Sequence, residues 1–489
     1  MNIYSFGIVK RWNRYILPAG VLIFIIYIVF IAFPNLMTSK VSLALSLLFV
    51  LLAVNNPLVF SYFFIIYLMT FKTLSYLFYV PTFIDYTVVV TPFLLFIYQI
   101  ISHKNNEWHK SIFIIYLFLF YIILNGLLLD KGAMVIIREI LFIGNVFFIF
   151  FYYYFEKKFT IEHYISIVRL IISLVLIQFV FQFLELYGIP RTLPNHPDSY
   201  SGTLGFTGTG ILGNFCLVGS IYFLIRIINK REKLSIGLIA IGILTIQAFI
   251  GESKFYMYGF ISSLIFIIVL LMSGYLKIKM KKLILFSFTT VFALILMINL
   301  YQIAINRYSF SISLNTLFDK RFIENIAFKE QYYAGSRLYI SRGAGLLLAY
   351  QTIGTDFYTS LLGKGIGTGK TNESRTFGAK NETTNNQLAD VFYGLDLFLI
   401  ELGFIGLIIF IIILYLLYRT FKRVSYCNNH PVIGKYLDFY ISFLFVYILS
   451  FQYSGGWLNI QAFNAFFWIL SAGLFVIYKA SNINQINQY

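Results

Sequence analysis

Long apolar runs separated by short polar turns make up most of this chain. A helix needs about 20 mostly apolar residues to cross the hydrocarbon core of a bilayer. The runs at 41–54 and 57–71 are short and flank Asn55-Asn56-Pro57, so they could also form a broken or re-entrant pair. The pattern predicts an all-α polytopic membrane protein, a single integral membrane domain over 1–489, with spans at 15–33, 41–54, 57–71, 87–101, 111–129, 134–155, 163–187, 211–228, 235–250, 255–274, 283–305, 395–418, 436–453 and 460–478.

Two polar segments interrupt this pattern. The larger runs from Asn306 to Gly394, covers 89 residues and holds ten basic and seven acidic side chains. The smaller runs from 188 to 210. A pore or a lipid flippase rarely needs a long polar segment, whereas an enzyme that acts on a hydrophilic substrate does. Function should therefore be sought first in 306–394.

The composition agrees with a membrane protein. Hydrophobic residues make up 59% of the 489 residues, charged residues 12%, and the mean hydropathy is +0.81. Soluble domains carry about 25% charged residues. The formal charge of +17 would indicate nucleic acid in a soluble protein, but cytoplasmic loops of membrane proteins are rich in Lys and Arg. No nucleic-acid partner is expected.

The distribution of positive charge predicts the orientation. With the N-terminus inside, the inner segments hold 20 Lys and Arg residues, and the short outer loops hold five. Short loops rich in Lys and Arg stay in the cytoplasm. The count predicts two cytoplasmic termini, with 188–210 and 306–394 facing outward. The first apolar run extends through Phe33 without a small-residue cleavage site, which predicts an uncleaved first helix. Because no nucleotide supply exists outside, any reaction there must use a donor that is already activated.

Other chemistries find little support in the residue types. The two cysteines, Cys216 and Cys427, have neither the number nor the spacing of a disulfide framework or a metal site. No metal and no cofactor is expected. The run from Leu361 to Thr371 ends in Gly-Lys-Thr, but a phosphate-binding P-loop needs Gly where Lys364 stands. A glycine-rich turn that closes a helix of the large loop is the better interpretation.

The large loop offers cations for a phosphate group. Gly335-Ser336-Arg337-Leu338 precedes Leu346–Tyr350, whose apolar spacing predicts an amphipathic helix on or in the membrane surface, with Arg337 and Arg342 near its start. Arginine holds a pyrophosphate through two hydrogen bonds and stays charged at any working pH. The alternative is that both are solvated loop arginines.

Further candidates lie in other outer turns and in one span. The 188–210 segment contains Arg191 and His196, and the turn at 251–254 contains Glu252 and Lys254; Lys254 could equally be a membrane-surface anchor. Within a span, Arg138-Glu139 is costly at bilayer depth and is a functional candidate by default. Glu185 and Glu401 are its two possible partners.

Three short motifs, in this order, resemble the bacterial O-antigen ligase and Wzy-type O-antigen or capsule polymerase superfamily. Gly335-Ser336-Arg337-Leu338 is similar to the family's start of the loop helix, and Leu362–Gly367 to its Gly-x-Gly turn. Leu399–Leu407 is similar to the Glu-Leu-Gly opening of the following helix. The spacing of Arg191 and Gly202 is similar to one in polymerase outer loops. The resemblance implies 12–14 spans and glycosyl transfer on the outer face of the bacterial cytoplasmic membrane.

The resemblance implies a lipid-linked donor. A growing glycan on undecaprenyl pyrophosphate would be transferred, without a metal, to a new repeat unit. Arg337, Lys254 and Arg191 would hold the leaving pyrophosphate, with Arg342 and Arg138 as further ligands. His196 or Glu252 would deprotonate the acceptor hydroxyl, and Asp390 is a third possible base. A flippase and a chain-length regulator of the same pathway are the protein partners to expect.

Two departures from the family pattern occur. The family's outer Ser-Arg is Ser253-Lys254 here, which keeps the charge but loses the two-bond geometry of arginine. The ligases' His-Asn is replaced by Thr384-Asn385, so 306–394 contains no histidine, and this loss favours a polymerase over a ligase. A ligase remains one alternative and a lipid-linked oligosaccharide flippase another. A lipid-phosphate-sugar glycosyltransferase would carry an acidic motif in its first outer loop, and 34–40 has none.

Overall fold

A computed structural model describes residues 39–77, 83–102, 110–186, 201–204, 209–251, 253–276, 332–334, 337–339, 342–368, 394–427, 431–453 and 462–486. These residues are almost entirely helical. The first part consists of α1 Ser39–Asn55, α2 Pro57–Leu77, α3 Phe83–Ser102, α4 Lys110–Leu128, α5 Ala133–Phe155, α6 Ile161–Leu186, a 3₁₀ turn Gly202–Leu204, α7 Thr209–Ile228, α8 Leu234–Ile250 and α9 Lys254–Met272. The second part consists of β1 Tyr332–Ala334, β2 Arg337–Tyr339, α10 Arg342–Ile353, α11 Phe357–Leu362, α12 Gly394–Cys427, α13 Pro431–Tyr453 and α14 Ala462–Ile486.

Most of the predicted spans coincide with helices. Of the fourteen, 15–33 and 283–305 lie outside the described residues, and the other twelve correspond to α1–α9 and α12–α14. The all-α prediction is confirmed except for the short antiparallel hairpin β1–β2.

Membrane-crossing length is shown for part of the set. Within the described ranges, five helices are long and apolar enough to cross a bilayer: Ile161–Glu185, Gly210–Ile228, Gly394–Tyr426, Ile433–Phe451 and Ala462–Ala480. Helix α5 would be a sixth if its halves, bent by 44° at residue 142, form one span. Helices α2, α3, α4, α8 and α9 carry shorter apolar stretches.

Local sequence explains the break between α1 and α2. Asn56 accepts a hydrogen bond from the Val59 backbone N–H through Oδ1 at 3.2 Å, which caps the start of α2. Pro57 is the first residue of that helix, a position where its missing N–H costs nothing. Two of the last carbonyls of α1 are also satisfied, because Tyr152 donates to the Ala53 oxygen and Lys158 Nζ donates to the Val54 oxygen, both at 3.2 Å. The predicted interruption at Asn55-Asn56-Pro57 is therefore two capped helix ends.

The core of the bundle is built from stacked aromatic rings. Trp468 of α14 is fully buried and lies 4.6 Å from the Phe147 ring of α5. Tyr447 of α13 stacks on Phe467 of α14 at 3.9 Å. Aromatic pairs in such geometries stabilise a core beyond the area that they bury. Helices α5, α13 and α14 therefore form the centre of the part of the bundle that the structure describes.

Contacts between helix ends divide the bundle into two ends. At one of them, which we name the loop end, α4 ends, α12 begins and residues 361–366 pack between them. The Phe398 ring of α12 contacts Phe451 of α13 at 5.8 Å. Phe463, at the start of α14, lies 5.3 Å from Phe215, near the start of α7. The start of α7 therefore belongs to the loop end as well.

At the opposite end of the bundle lie the turns that connect the other ends of the same helices. Arg231, in the turn between α7 and α8, binds both carboxylate oxygens of Asp438 in α13, at 2.8 and 2.9 Å. Tyr275, just after α9, donates to the same carboxylate at 2.9 Å. Burial, and then the neighbouring Asp438, raises the pKa of the Tyr275 hydroxyl, so it stays a donor. Arg423 of α12 contacts Tyr478 of α14 at 3.1 Å. Successive helices thus run up and down between the two ends.

Candidate functional site

The glycine-rich turn after α11 docks on a break in α12. Gly363 ends α11 with φ +76°, and Gly403 interrupts α12 with φ +61° and ψ −165°. A Cβ on Gly363 would lie 2.7 Å from the Gly403 nitrogen and the Ile400 oxygen. The Lys364 N–H donates to the Ile400 oxygen at 2.6 Å. The turn therefore supplies a donor to a carbonyl in the helical turn just before the break.

The end of α4 holds the same turn from the other side. Asn125 donates to the Leu362 oxygen at 2.5 Å and accepts from the Ile366 N–H at 3.2 Å. Tyr121 donates to the Leu402 oxygen beside the break at 2.7 Å. Irregular backbone at membrane depth persists only where other groups satisfy it. The motif that ends in Gly-Lys-Thr closes a helix, as predicted from its sequence, and it anchors the large loop to the bundle.

Arg337 lies in a strand. The register of the β1–β2 hairpin pairs Ala334 with Arg337 and Tyr332 with Tyr339. Arg337 stands five residues before the first residue of α10, near the start of the loop helix as predicted, but the strand was not predicted. Tyr332–Tyr339 is rich in tyrosine, which favours strands. The prediction for Arg342 is confirmed, since it is the first residue of α10.

Helix α10 packs along α12. Its buried positions are small or aliphatic, with Ala344 8%, Ala349 0% and Ile353 0% exposed. The Tyr350 ring lies 6.5 Å from Phe404, the residue after the break. Asp356 caps α11 by accepting from the Thr359 N–H at 2.8 Å. Hydrogen bonds from Thr359 hold the pKa of Asp356 below its usual range, so the cap stays ionised at neutral pH.

A second group of residues fixes part of the 188–210 segment. The carboxylate of Glu185, at the end of α6, accepts from the Gly202 N–H at 2.8 Å. The side chain of Gln178 binds Thr203 through the backbone N–H at 2.8 Å. The Thr203 hydroxyl also lies 3.0 Å from the Met69 oxygen of α2. Glu185 was one of the two predicted partners of Arg138-Glu139. In the structure, its carboxylate is bound to the Gly202 backbone.

The starts of α7 and α9 cross closely. A Cβ on Gly213 would overlap the Ser253 hydroxyl, so glycine is required for this approach. Ser253 is the N-cap of α9 and accepts from the Tyr256 N–H. Lys254 is the first residue of that helix. The backbone of Lys254, which was predicted to bind pyrophosphate, therefore lies beside α7 at the loop end.

The remaining site predictions divide into two groups. Arg191, His196, Glu252 and Asp390 lie outside the described residues. For Arg138, Lys254, Arg337 and Arg342, the structure describes the backbone position but not the side chain. Arg138 lies in the second turn of α5, which begins just after the α4–α5 turn. In that turn, the Lys131 side chain would meet a Cβ on Gly365 at 2.6 Å.

Buried carboxylates accompany the cations near the loop end. Asp396, in the first turn of α12, and Glu139 of α5 are both 0% exposed, and Glu401, beside the break, is 1% exposed. An ionisable residue buried in a membrane helix is a functional candidate by default. Sequence reasoning had selected Glu139 and Glu401 but missed Asp396. Asp396 could have been selected from the sequence, because it is an acidic residue at the very start of the long apolar run 395–418.

Among the described residues, no group of three or more potential metal-ligating side chains occurs. No protein-family model, curated protein or solved structure matches the chain. The resemblance to O-antigen polymerases and ligases therefore rests on sequence features alone, namely the three motifs, the Arg191–Gly202 spacing and the pattern of spans and loops, and stays a prediction.

Proposed function

We propose that this chain is a polymerase of lipid-linked oligosaccharide repeat units, of the kind used for O-antigen, capsule or exopolysaccharide. It would transfer the growing glycan from undecaprenyl pyrophosphate to a new repeat unit on the outer face of the bacterial cytoplasmic membrane. Fourteen spans, two cytoplasmic termini and an outward-facing loop end belong to the same proposal. Asymmetric positive charge along the sequence supports that orientation.

The observation that carries the proposal is the anchored loop. Residues 361–366 are bound both to the break in α12 and to the end of α4. The 3₁₀ turn at 202–204 and the start of α9 are fixed to neighbouring helices. An enzyme whose hydrophilic substrate is attached to a membrane lipid needs polar segments that are held rigidly at one end of the bundle. A flippase would instead concentrate its polar groups within a central cavity.

The chemistry follows from the residue types. The acceptor hydroxyl attacks the anomeric carbon of the donor, the bond from that carbon to the pyrophosphate oxygen breaks, and a glycosidic bond forms. Arg337, Lys254 and Arg191 would stabilise the charge that develops on the pyrophosphate, which is often the largest catalytic contribution. His196 or Glu252 would take the hydroxyl proton. Arg342 and Arg138 are further pyrophosphate ligands in this proposal.

Arg337 provides the most direct test. In cells that lack the native gene, Arg337→Ala should reduce the surface glycan to single or very short repeat units, as read on a gel of the extracted polysaccharide. Arg337→Lys should restore chain length only in part, because an ammonium group cannot hold two pyrophosphate oxygens in the arginine geometry. Lys364→Ala is the matched control, since Lys364 is an exposed cation of the same loop whose backbone makes the docking bond.

Normal chain length in the Arg337→Ala variant, at equal protein level, would exclude the role given to this residue. Deletion of the gene separates the three functions. Single repeat units at the surface indicate a lost polymerase, and free lipid-linked polymer indicates a lost ligase. Complete absence of repeat units from the surface indicates a lost transporter.

A further inference from the structure

Helix α10 has one face packed against protein and one face whose large apolar side chains are more than half exposed. Ala344, Ala349 and Ile353 are buried, in keeping with its packing along α12. On the other side, Leu347 is 52% and Tyr350 57% exposed. Apolar side chains on the open face of a helix at the edge of a membrane bundle need an apolar environment.

Helix α11 extends this surface. Phe357 is 72% and Tyr358 76% exposed, although both belong to a helix that is fixed at its start by Asp356 and at its end by Gly363. Large adjacent exposed aromatic residues are uncommon on a surface that faces only water, and they mark an interaction site. We name Leu347, Tyr350, Phe357 and Tyr358 the aromatic edge.

An exposed apolar stripe on α12, the side expected to face lipid, leads up to the aromatic edge. Ile408, Ile411 and Tyr415 are 55%, 53% and 60% exposed and recur at helical spacing in the helix with the highest mean hydropathy of the five candidate spans. Phe404 lies one turn before Ile408, and its ring contacts Tyr350. The lipid-facing stripe therefore continues without interruption from α12 onto α10.

Helix α4 leads to the same place by a second route. Phe113, Phe120 and Leu127 are 61%, 60% and 63% exposed along one side of this apolar helix. Asn125, on its protein-facing side, binds the Leu362 oxygen at the end of α11. The two lipid-facing helices thus converge on the α10–α11 segment, which puts the segment at the perimeter of the bundle.

We propose that the aromatic edge is inserted into the membrane lipid, among the head groups and the first carbons of the acyl chains. Aromatic rings with an apolar body favour this depth, where tyrosine keeps its hydroxyl hydrated. The large loop would then have two attachments, one to protein through the glycine turn and one to lipid through Phe357 and Tyr358. This inference does not depend on the reaction that the protein catalyses.

The test measures the environment of single side chains in the full chain, reconstituted in lipid nanodiscs. In a Cys216→Ala, Cys427→Ser background, Phe357→Cys and Tyr358→Cys carry a nitroxide spin label, one at a time. Relaxation enhancement by oxygen, which concentrates in lipid, is compared with that by a water-soluble nickel chelate. Ile411→Cys on the α12 stripe is the lipid control. Lys157→Cys, an exposed cation in the turn between α5 and α6, is the water control.

At 357 and 358, oxygen should exceed nickel severalfold, as at 411. Labels that respond like the one at 157 would overturn the proposal. Labels shielded from both reagents would also overturn it, because other parts of the chain would then cover the edge. A second pair, Phe357→Ser and Tyr358→Ser, should increase amide hydrogen exchange in α11 in nanodiscs and leave exchange in α13 unchanged. Neither readout uses a glycan, so its failure is distinct from failure of the proposed function.

Discussion

Single glycines decide whether the large loop can dock. Gly363 and Gly403 both adopt positive φ, and the backbone of each lies where a side chain of the other would be. Sequence analysis predicted a turn from the density of glycine around Gly365. The approach of Gly363 to α12 involves residues 40 apart in the chain, and a pattern of adjacent residues carries no information about such a contact.

Gly363→Ala should therefore destabilise the protein. Forcing a β-carbon into this φ region costs on the order of 1–3 kcal/mol, and the methyl group would also meet the α12 backbone. We expect a lower unfolding temperature in nanodiscs and faster hydrogen exchange in residues 357–366. Gly132→Ala is the control, because a β-carbon there has no atom within 4 Å. Equal thermal stability of the two variants would contradict the account of the docking.

Charged residues show the same limit of prediction. Arg138, Lys254 and Arg342 were selected by residue type and by their place along the chain, and their backbones lie in α5, α9 and α10. Asp438 was not selected, although it is completely buried and binds Arg231 and Tyr275. Helix α13, the α7–α8 turn and the turn after α9 meet at Asp438. The apolar pattern of α13 cannot show that the other two elements lie beside it.

At the scale of elements, apolar length was a good predictor of where helices lie and a poor predictor of where they end. The predicted span 395–418 corresponds to α12, which runs on to Cys427, because the apolar criterion stops at Arg419 whereas the backbone hydrogen bonds do not. The hairpin β1–β2 was missed because strands of three residues are too short to show a period of two.

The Arg231–Asp438 pair should act as a tie between elements. Arg231→Ala leaves the buried Asp438 carboxylate without its main donor, which should lower the free energy of unfolding by about 1–3 kcal/mol. Because the Arg231 side chain is partly exposed, we expect a value near the lower limit. Reversible unfolding in mixed micelles measures this loss. Asp438→Asn in the Arg231→Ala background should recover part of it. Lys233 is exposed in the same turn, so Lys233→Ala should leave the free energy of unfolding unchanged. If Arg231→Ala also leaves it unchanged, the Arg231–Asp438 pair does not stabilise the fold.

At the scale of the whole molecule, the alternation of helix ends agrees with the up-and-down order predicted from the spans. Contacts at the loop end join α4 with α12 and α7 with α9. Contacts at the opposite end join the α7–α8 turn with α13, and α1 with the α5–α6 turn. These contacts distinguish the two ends, and the charge count along the sequence predicts which of them faces the cytoplasm.

Chemical labelling of intact cells tests that orientation. In the background without native cysteines, Lys364→Cys should react with a membrane-impermeant maleimide added outside. Lys157→Cys should react only after the membrane is made permeable. Both lysines are exposed in the structure, so accessibility within the protein is matched. The reverse pattern would place the loop end in the cytoplasm, where nucleotide-activated donors are available, and would remove the reason for a lipid-linked donor.

The bonds of Asn125 also impose an order on biogenesis. Its two partners, Leu362 and Ile366, are 237 and 241 residues further along the chain. When α4 leaves the ribosome, the groups that satisfy this amide have not yet been synthesised. The bundle can complete the contacts of α4 only after residues 361–366 have been synthesised and have docked. Truncation before residue 361 should therefore leave α4 as a target for membrane quality control, even though its own sequence is intact.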